Sequence, residues 1–256
     1  MTYDEMREAF VNRTQLALRE LFEKAKAVDQ VQFAMSLCPE FRGCQDPGWC
    51  TAEETKQFYD EICDYIRTEK NSPFKVRTVL CFYCHIYESS GFYECPENMM
   101  RLCEGQGYSW IPFKDLNKIH KQTGDVIAPN ANAVFKTLIG HSRNIGLRSL
   151  ESVFIDAFDG EIRNAFVHSD YILWSDGVRI RHRNGGHAKI IGWDQLNYVL
   201  NKGMDFYSIL LDVISEYIHA YETSVERVGC LGPTDPPSRW CIKWDSSSGL
   251  SIRSTH

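Results

Sequence analysis

Apolar residues recur at helical intervals along most of the chain and alternate over only one short stretch. Phe10, Leu18, Leu21, Phe22 and Ala25 share one side of a helix predicted over residues 3–28, and Glu, Lys and Arg fill the other side. Residues 38–50 carry Pro39, Gly43, Pro47 and Gly48 and read as a loop. Thr51 with Glu54 three residues on has the spacing of a capping box, and Phe58, Ile62, Tyr65 and Ile66 continue a helix to about Glu69. Asn71-Ser72-Pro73 ends it. The run 74–89 is apolar on most sides; Val, Phe and Tyr favour a strand, but its length favours a buried helix.

Further helices are predicted from Phe113 to Lys121, ended by Thr123-Gly124, then from Asn130 to Ser142, and from Leu147 to about Ser169. Gly160 lies inside the last of these and marks a break or a close helix contact. The period then changes to two. Tyr171–Trp174 and Val178–Arg181 flank Asp176-Gly177 as a hairpin, Arg183–Gly186 forms a second turn, and Lys189–Ile191 is a third short strand. Asp194 caps a further helix start, and the last long helix runs from Phe206 to about Val225. The Gly-, Pro- and Ser-rich tail, residues 229–256, reads as loosely packed. The expected fold class is all-α: a multi-helix bundle with a small β-hairpin insertion, in a single domain over residues 1–256.

Composition changes this picture little. A chain of 256 residues, 43% hydrophobic, buries a sizeable core without staples. Its net charge of −6 does not mark a nucleic-acid binder by itself, though a local basic patch can act on an acidic protein. No run approaches the length of a membrane span. The start, MTYDEMREAFVNRTQ, lacks the regions of a secretory signal, so a cytoplasmic protein is expected. Ten cysteines are then more easily read as reduced thiols than as disulfides.

Candidate chemistry concentrates at the end of the helix predicted to reach Ser169. In Glu161-Ile-Arg163-Asn164-Ala-Phe-Val-His168, Asn164 and His168 lie four apart on one helix face, and Arg163 flanks it. A guanidinium can hold phosphate, an imidazole can move protons near neutral pH, and the amide can orient either. The bland alternative is an Arg and a His that satisfy helix-end carbonyls. The string resembles the Arg-x4-His signature of the HEPN superfamily, whose common form has Asn directly after the Arg. The HEPN-like core would span about 51–225, after an N-terminal helix in 1–30. The resemblance implies a metal-independent endoribonuclease needing no cofactor, active as a toxin or defence effector. His168 would be the acid or base at a ribose 2′-hydroxyl, Arg163 would stabilise the charge on the scissile phosphate, and Asn164 would hold His168 or the phosphate in place. It also implies a homodimer with facing motif helices and a composite site across them, and RNA and an unidentified antitoxin as partners. The alternative within the family is a non-catalytic RNA-binding or dimerisation module.

Two other patterns bear on function. Strand alternation puts Arg179, Arg181 and Arg183 on one face, a basic stripe suited to RNA phosphates or simply a solvated face. His141 and Arg143 precede the motif and are candidates to approach it. Cys81-x-x-Cys84-His85 could supply zinc ligands together with Cys95 and Cys103, which gives the further alternative of a small zinc-binding helical protein. Its apolar surroundings favour core thiols and no metal. The same string matches c-type haem attachment, a reaction foreign to the cytoplasm. Cys38, Cys44 and Cys50 lack the pairing of a metal loop.

Overall fold

The structure is a computed structural model that describes residues 2–38, 51–182, 185–232 and 234–255. Helices dominate it: α1 (Tyr3–Val28), α2 (Gln30–Ser36), α3 (Thr51–Thr68), α4 (Pro73–Glu88), α5 (Ser90–Cys103), α6 (Ala131–Asn144), α7 (Arg148–Ala157), α8 (Gly160–Val167) and α9 (Trp193–His219). Three small antiparallel sheets complete it, so the bundle is mainly helical and not all-α. They are β1 (Lys118–Ile119) with β2 (Val126–Ile127), then β3 (Tyr171–Trp174), β4 (Gly177–Ile180) and β5 (Lys189–Gly192), and finally β6 (Val225–Gly229), β7 (Ser238–Asp245) and β8 (Gly249–Ser254). No helix among the described residues is long and apolar enough to cross a membrane.

The α1 helix is the axis of the bundle. Thr2 and Glu5 form a reciprocal capping box at its start. Its buried face, Phe10 to Ala25, packs on α5, α7 and α9. Its ties to α9 include Arg7 paired with both carboxylate oxygens of Asp205 at 2.7 Å, and Arg19 paired with Glu216. Inside, Phe135 of α6 touches Tyr87, Tyr93, Phe154, Phe158 and Phe206, with ring centroids 4.8–6.4 Å apart. Gly203 lets α9 approach α4: a Cβ there would lie 2.8 Å from the Tyr83 ring.

Several boundaries differ from the pattern-based reading, each for a local reason. The segment 113–121 is not a helix. A single 3-10 turn at Lys114–Leu116 leads into the β1–β2 hairpin, closed by His120 N–H to Asp125 O and by Gly124 at φ +77°. The helix expected from Leu147 to Ser169 is two helices. Phe158 turns extended, and Asp159 accepts from the N–H groups of Glu161 and Ile162 as the N-cap of α8. Two core tyrosines fix this break: Tyr83 Oη accepts from Asp159 N–H at 2.9 Å, and Tyr87 Oη donates to Ala157 O. Gly160 also serves a close contact, since a Cβ there would sit 2.8 Å from Asn132 Oδ1. The last long helix is the single α9, starting at Trp193 and ending at His219; Val225 belongs to β6. The α2 and α5 helices have no counterpart in the pattern. The α3 helix does begin at Thr51, whose side chain lies outside the described residues.

The tail is ordered sheet where loose packing was expected. Alternation of Trp240, Ile242 and Trp244 with polar neighbours is masked by the surrounding Ser and Gly, but it builds β7, and Ile242 is fully buried. Asp29 at the start of α2 anchors the sheet by accepting from Cys230 N–H at 3.2 Å. Gly229 fits there because a Cβ would lie 2.6 Å from Val31.

Candidate active site

The sequence of α8 places the motif at a helix end. Ile162 and Ala165 face the core, so Arg163, Asn164 and His168 ride the partly open side. His168 is the C-cap residue, and its N–H donates to Asn164 O at 3.0 Å. Ser169 then turns left-handed at φ 57°, with Ser169 N–H to Phe166 O (3.1 Å) and Asp170 N–H to Ala165 O (2.8 Å). This paired ending stops the helix and directs the chain into β3. Glycine is the usual residue there, and a serine pays a steric cost. Ser169→Gly is therefore expected to stabilise the fold by about 0.5 kcal/mol net of the extra freedom of glycine when unfolded. Urea unfolding checks it. A destabilised variant would show that the serine side chain contributes more than its backbone strain costs.

Around α8 lies an open polar cleft of about 400 Å³. Its lining includes Asn132, Arg163, Asn164, His168, Arg181 and His182. His168 is exposed; the Arg163 side chain is only 12% exposed. Its Nη1 donates to Asn164 Oδ1 at 2.8 Å and its Nη2 to Glu88 Oε1, while the buried Nε finds no partner among the described residues. Asn164 thus holds the arginine through its side chain and the histidine through its backbone. Glu88 comes from the last turn of α4, 75 residues away, and no local pattern points to it.

The segment after β4 forms the opposite wall. Arg181 N–H donates to Asp170 O at 2.8 Å, which extends the β3–β4 register by one pair past Tyr171–Ile180. Arg181 and His182 follow into the cleft. Lys189 of β5 reaches back to Glu161 at the start of α8. That hydrogen bond holds the Glu161 carboxyl below its ordinary pKa, and the charges of Lys189 and His182 act in the same direction.

The expected arginine stripe is divided. Arg179 lies on the outer face of the β3–β5 sheet, over the Trp174 ring at 4.9 Å and 3.4 Å from Asp176, beside exposed Ile172 and Ile190. Arg181 lines the cleft, and Arg183 lies outside the described residues. His141 and Arg143 are committed elsewhere, to Glu97 and Glu151.

The cysteines among the described residues do not converge on a centre. Cys81 is exposed, and Cys84 is buried with Sγ 3.9 Å from Arg163 O. Burial raises the Cys84 thiol pKa to about 12, so it packs beneath α8 as a neutral thiol. His85 faces Thr55 instead, at 3.4 Å, and burial lowers its pKa. Among the described residues no group of three or more His, Cys, Asp or Glu is placed to hold a metal ion. Cys44 and Cys50 lie outside them.

Comparison with protein-family models, curated proteins and solved structures finds no match to this chain. The functional reading therefore rests on the cleft itself.

Proposed function

We propose that this chain is a HEPN-like endoribonuclease that cleaves RNA by internal attack of a ribose 2′-hydroxyl and needs no metal. One observation carries this reading: Arg163, Asn164 and His168 share an open polar cleft in which the imidazole is exposed and a second arginine, Arg181, is close by. His168 takes the 2′-hydroxyl proton as the oxygen attacks phosphorus. Arg163 and Arg181 stabilise the negative charge that builds on the phosphoryl oxygens. The P–O5′ bond then breaks, leaving a 2′,3′-cyclic phosphate and a 5′-hydroxyl.

The arrangement of Arg163 favours a second reading, a non-catalytic RNA-binding module. Glu88 and Asn164 already occupy two of its nitrogens. In the catalytic reading these contacts orient the guanidinium; in the other they block it.

Purified protein incubated with total RNA in EDTA separates the two. The catalytic reading expects cleavage to cyclic-phosphate ends, reduced roughly 100-fold or more by His168→Ala and by Arg163→Ala. Binding of RNA without cleavage, unchanged by His168→Ala, would support the module. Cleavage untouched by either substitution would remove this cleft as the active site.

A further inference from the structure

The ribonuclease reading supplies a base and leaves open which group protonates the departing 5′-oxygen. A poor alkoxide leaving group needs such an acid. We propose that His182 of the same chain is that general acid, so that each chain carries a complete acid–base pair. The inference rests on the ribonuclease reading of the cleft.

Three observations place His182 for this role. It lines the same cleft as His168, Asn164 and Arg163. It directly follows Arg181, whose N–H bond to Asp170 O pins the wall two residues from His168. Both histidines are exposed, as groups that exchange protons with a substrate must be. The rest of the lining is mostly polar and includes Asn132 from α6, Glu161 from α8, and Asp170.

The step balances without a co-reactant. The 2′-oxygen forms its bond to phosphorus and its proton goes to His168. The P–O5′ bond breaks, and the proton on His182 goes to the 5′-oxygen. Exchange with water returns both imidazoles to their starting states.

The test uses leaving groups of different quality. Substrates are a labelled mixed-sequence oligoribonucleotide and a set of the four nucleoside 3′-(4-nitrophenyl phosphates). Nitrophenolate departs without a proton, so its release needs the base and not the acid. His182→Ala is expected to lose roughly 100-fold or more on RNA but less than about tenfold on the aryl esters. His168→Ala is expected to lose roughly 100-fold or more on both. Mixing the two variants should restore no RNA cleavage, since neither chain then holds both groups. Equal loss on the two substrates for His182→Ala, or no loss on RNA, overturns the inference while the ribonuclease reading stands. Recovery on mixing also overturns it, because the acid would then come from a second subunit. A wild type inactive on both substrates removes the ribonuclease reading and the inference with it.

Discussion

Replacing His141 with leucine is expected to destabilise the fold by about 3 kcal/mol, because it strands a buried carboxylate. Glu97 of α5 is completely buried, and the His141 Nδ1 atom, 2.8 Å from Oε1, provides its counter-charge. Among the described residues neither Glu97 oxygen accepts a well-aligned hydrogen bond, so the carboxylate depends on the close approach of the imidazole, with Arg101 a weaker charge nearby. The His141 side chain is 26% exposed, which puts the expected cost at the lower end for a broken buried pair. The double variant Glu97→Gln, His141→Leu should recover much of the loss, since the stranded charge is gone.

The same pair makes stability depend on pH. Contact with the Glu97 carboxylate raises the His141 pKa above its ordinary value, outweighing the burial that lowers it. A raised folded-state pKa contributes stability that is complete below the unfolded value, about 6.5, and fades as pH climbs through the folded value. Wild type should therefore weaken above about pH 6.5, and His141→Leu should lack that slope. Urea midpoints across this range check both points. A variant as stable as wild type near pH 6 would mean that the Glu97 side chain needs no partner from His141 in the folded protein.

Phe135→Ala should cost about 4 kcal/mol, within the range for removing a large aromatic side chain from a core. Phe135 is 1% exposed and stacks on Phe158 with centroids 4.8 Å apart. It also meets Tyr87 edge-on at 4.9 Å. Neither ring can swing into the void freely, because Phe158 sits at the α7–α8 break and the Tyr87 hydroxyl is bound to Ala157 O. For a chain of this size the expected fall in Tm is about 10 °C. A drop of only a few degrees would show that the aromatic cluster closes over the space.

What the sequence revealed follows from the range of each interaction. The α1, α4 and α6 helices were legible because their buried faces repeat within a few residues. The β3–β4 hairpin was legible too, but its two-residue turn is Ser175-Asp176, one residue earlier than the expected Asp176-Gly177, because Gly177 pairs with Trp174 as the first residue of β4. The α5 helix was hidden by Gly91 and Pro96, which tertiary burial of Phe92, Tyr93, Met99 and Met100 overrides. The α7–α8 break was hidden because Tyr83 and Tyr87, some 70 residues away, help to fix it. The candidate site divides in the same way. Arg163, Asn164 and His168 form a local string. Asn132 and His182 reach the cleft, and Glu88 reaches Arg163, only through packing of α6, the β4 end and α4; of the three, only His182 lies beside a residue, Arg181, that the sequence pattern singled out.

The seating of α1 against α9 also sets an order of events during synthesis. Arg7 and Asp205 are separated by 198 residues, as are Tyr3 and Asn201. At roughly 5–20 residues per second, the first helix leaves the ribosome about 10–40 s before the surface that covers it. Through that interval Phe10, Leu18, Leu21 and Phe22 have only part of their final cover. The newborn chain carries that uncovered apolar face until α9 emerges, and slow translation ahead of residue 193 would lengthen its exposure.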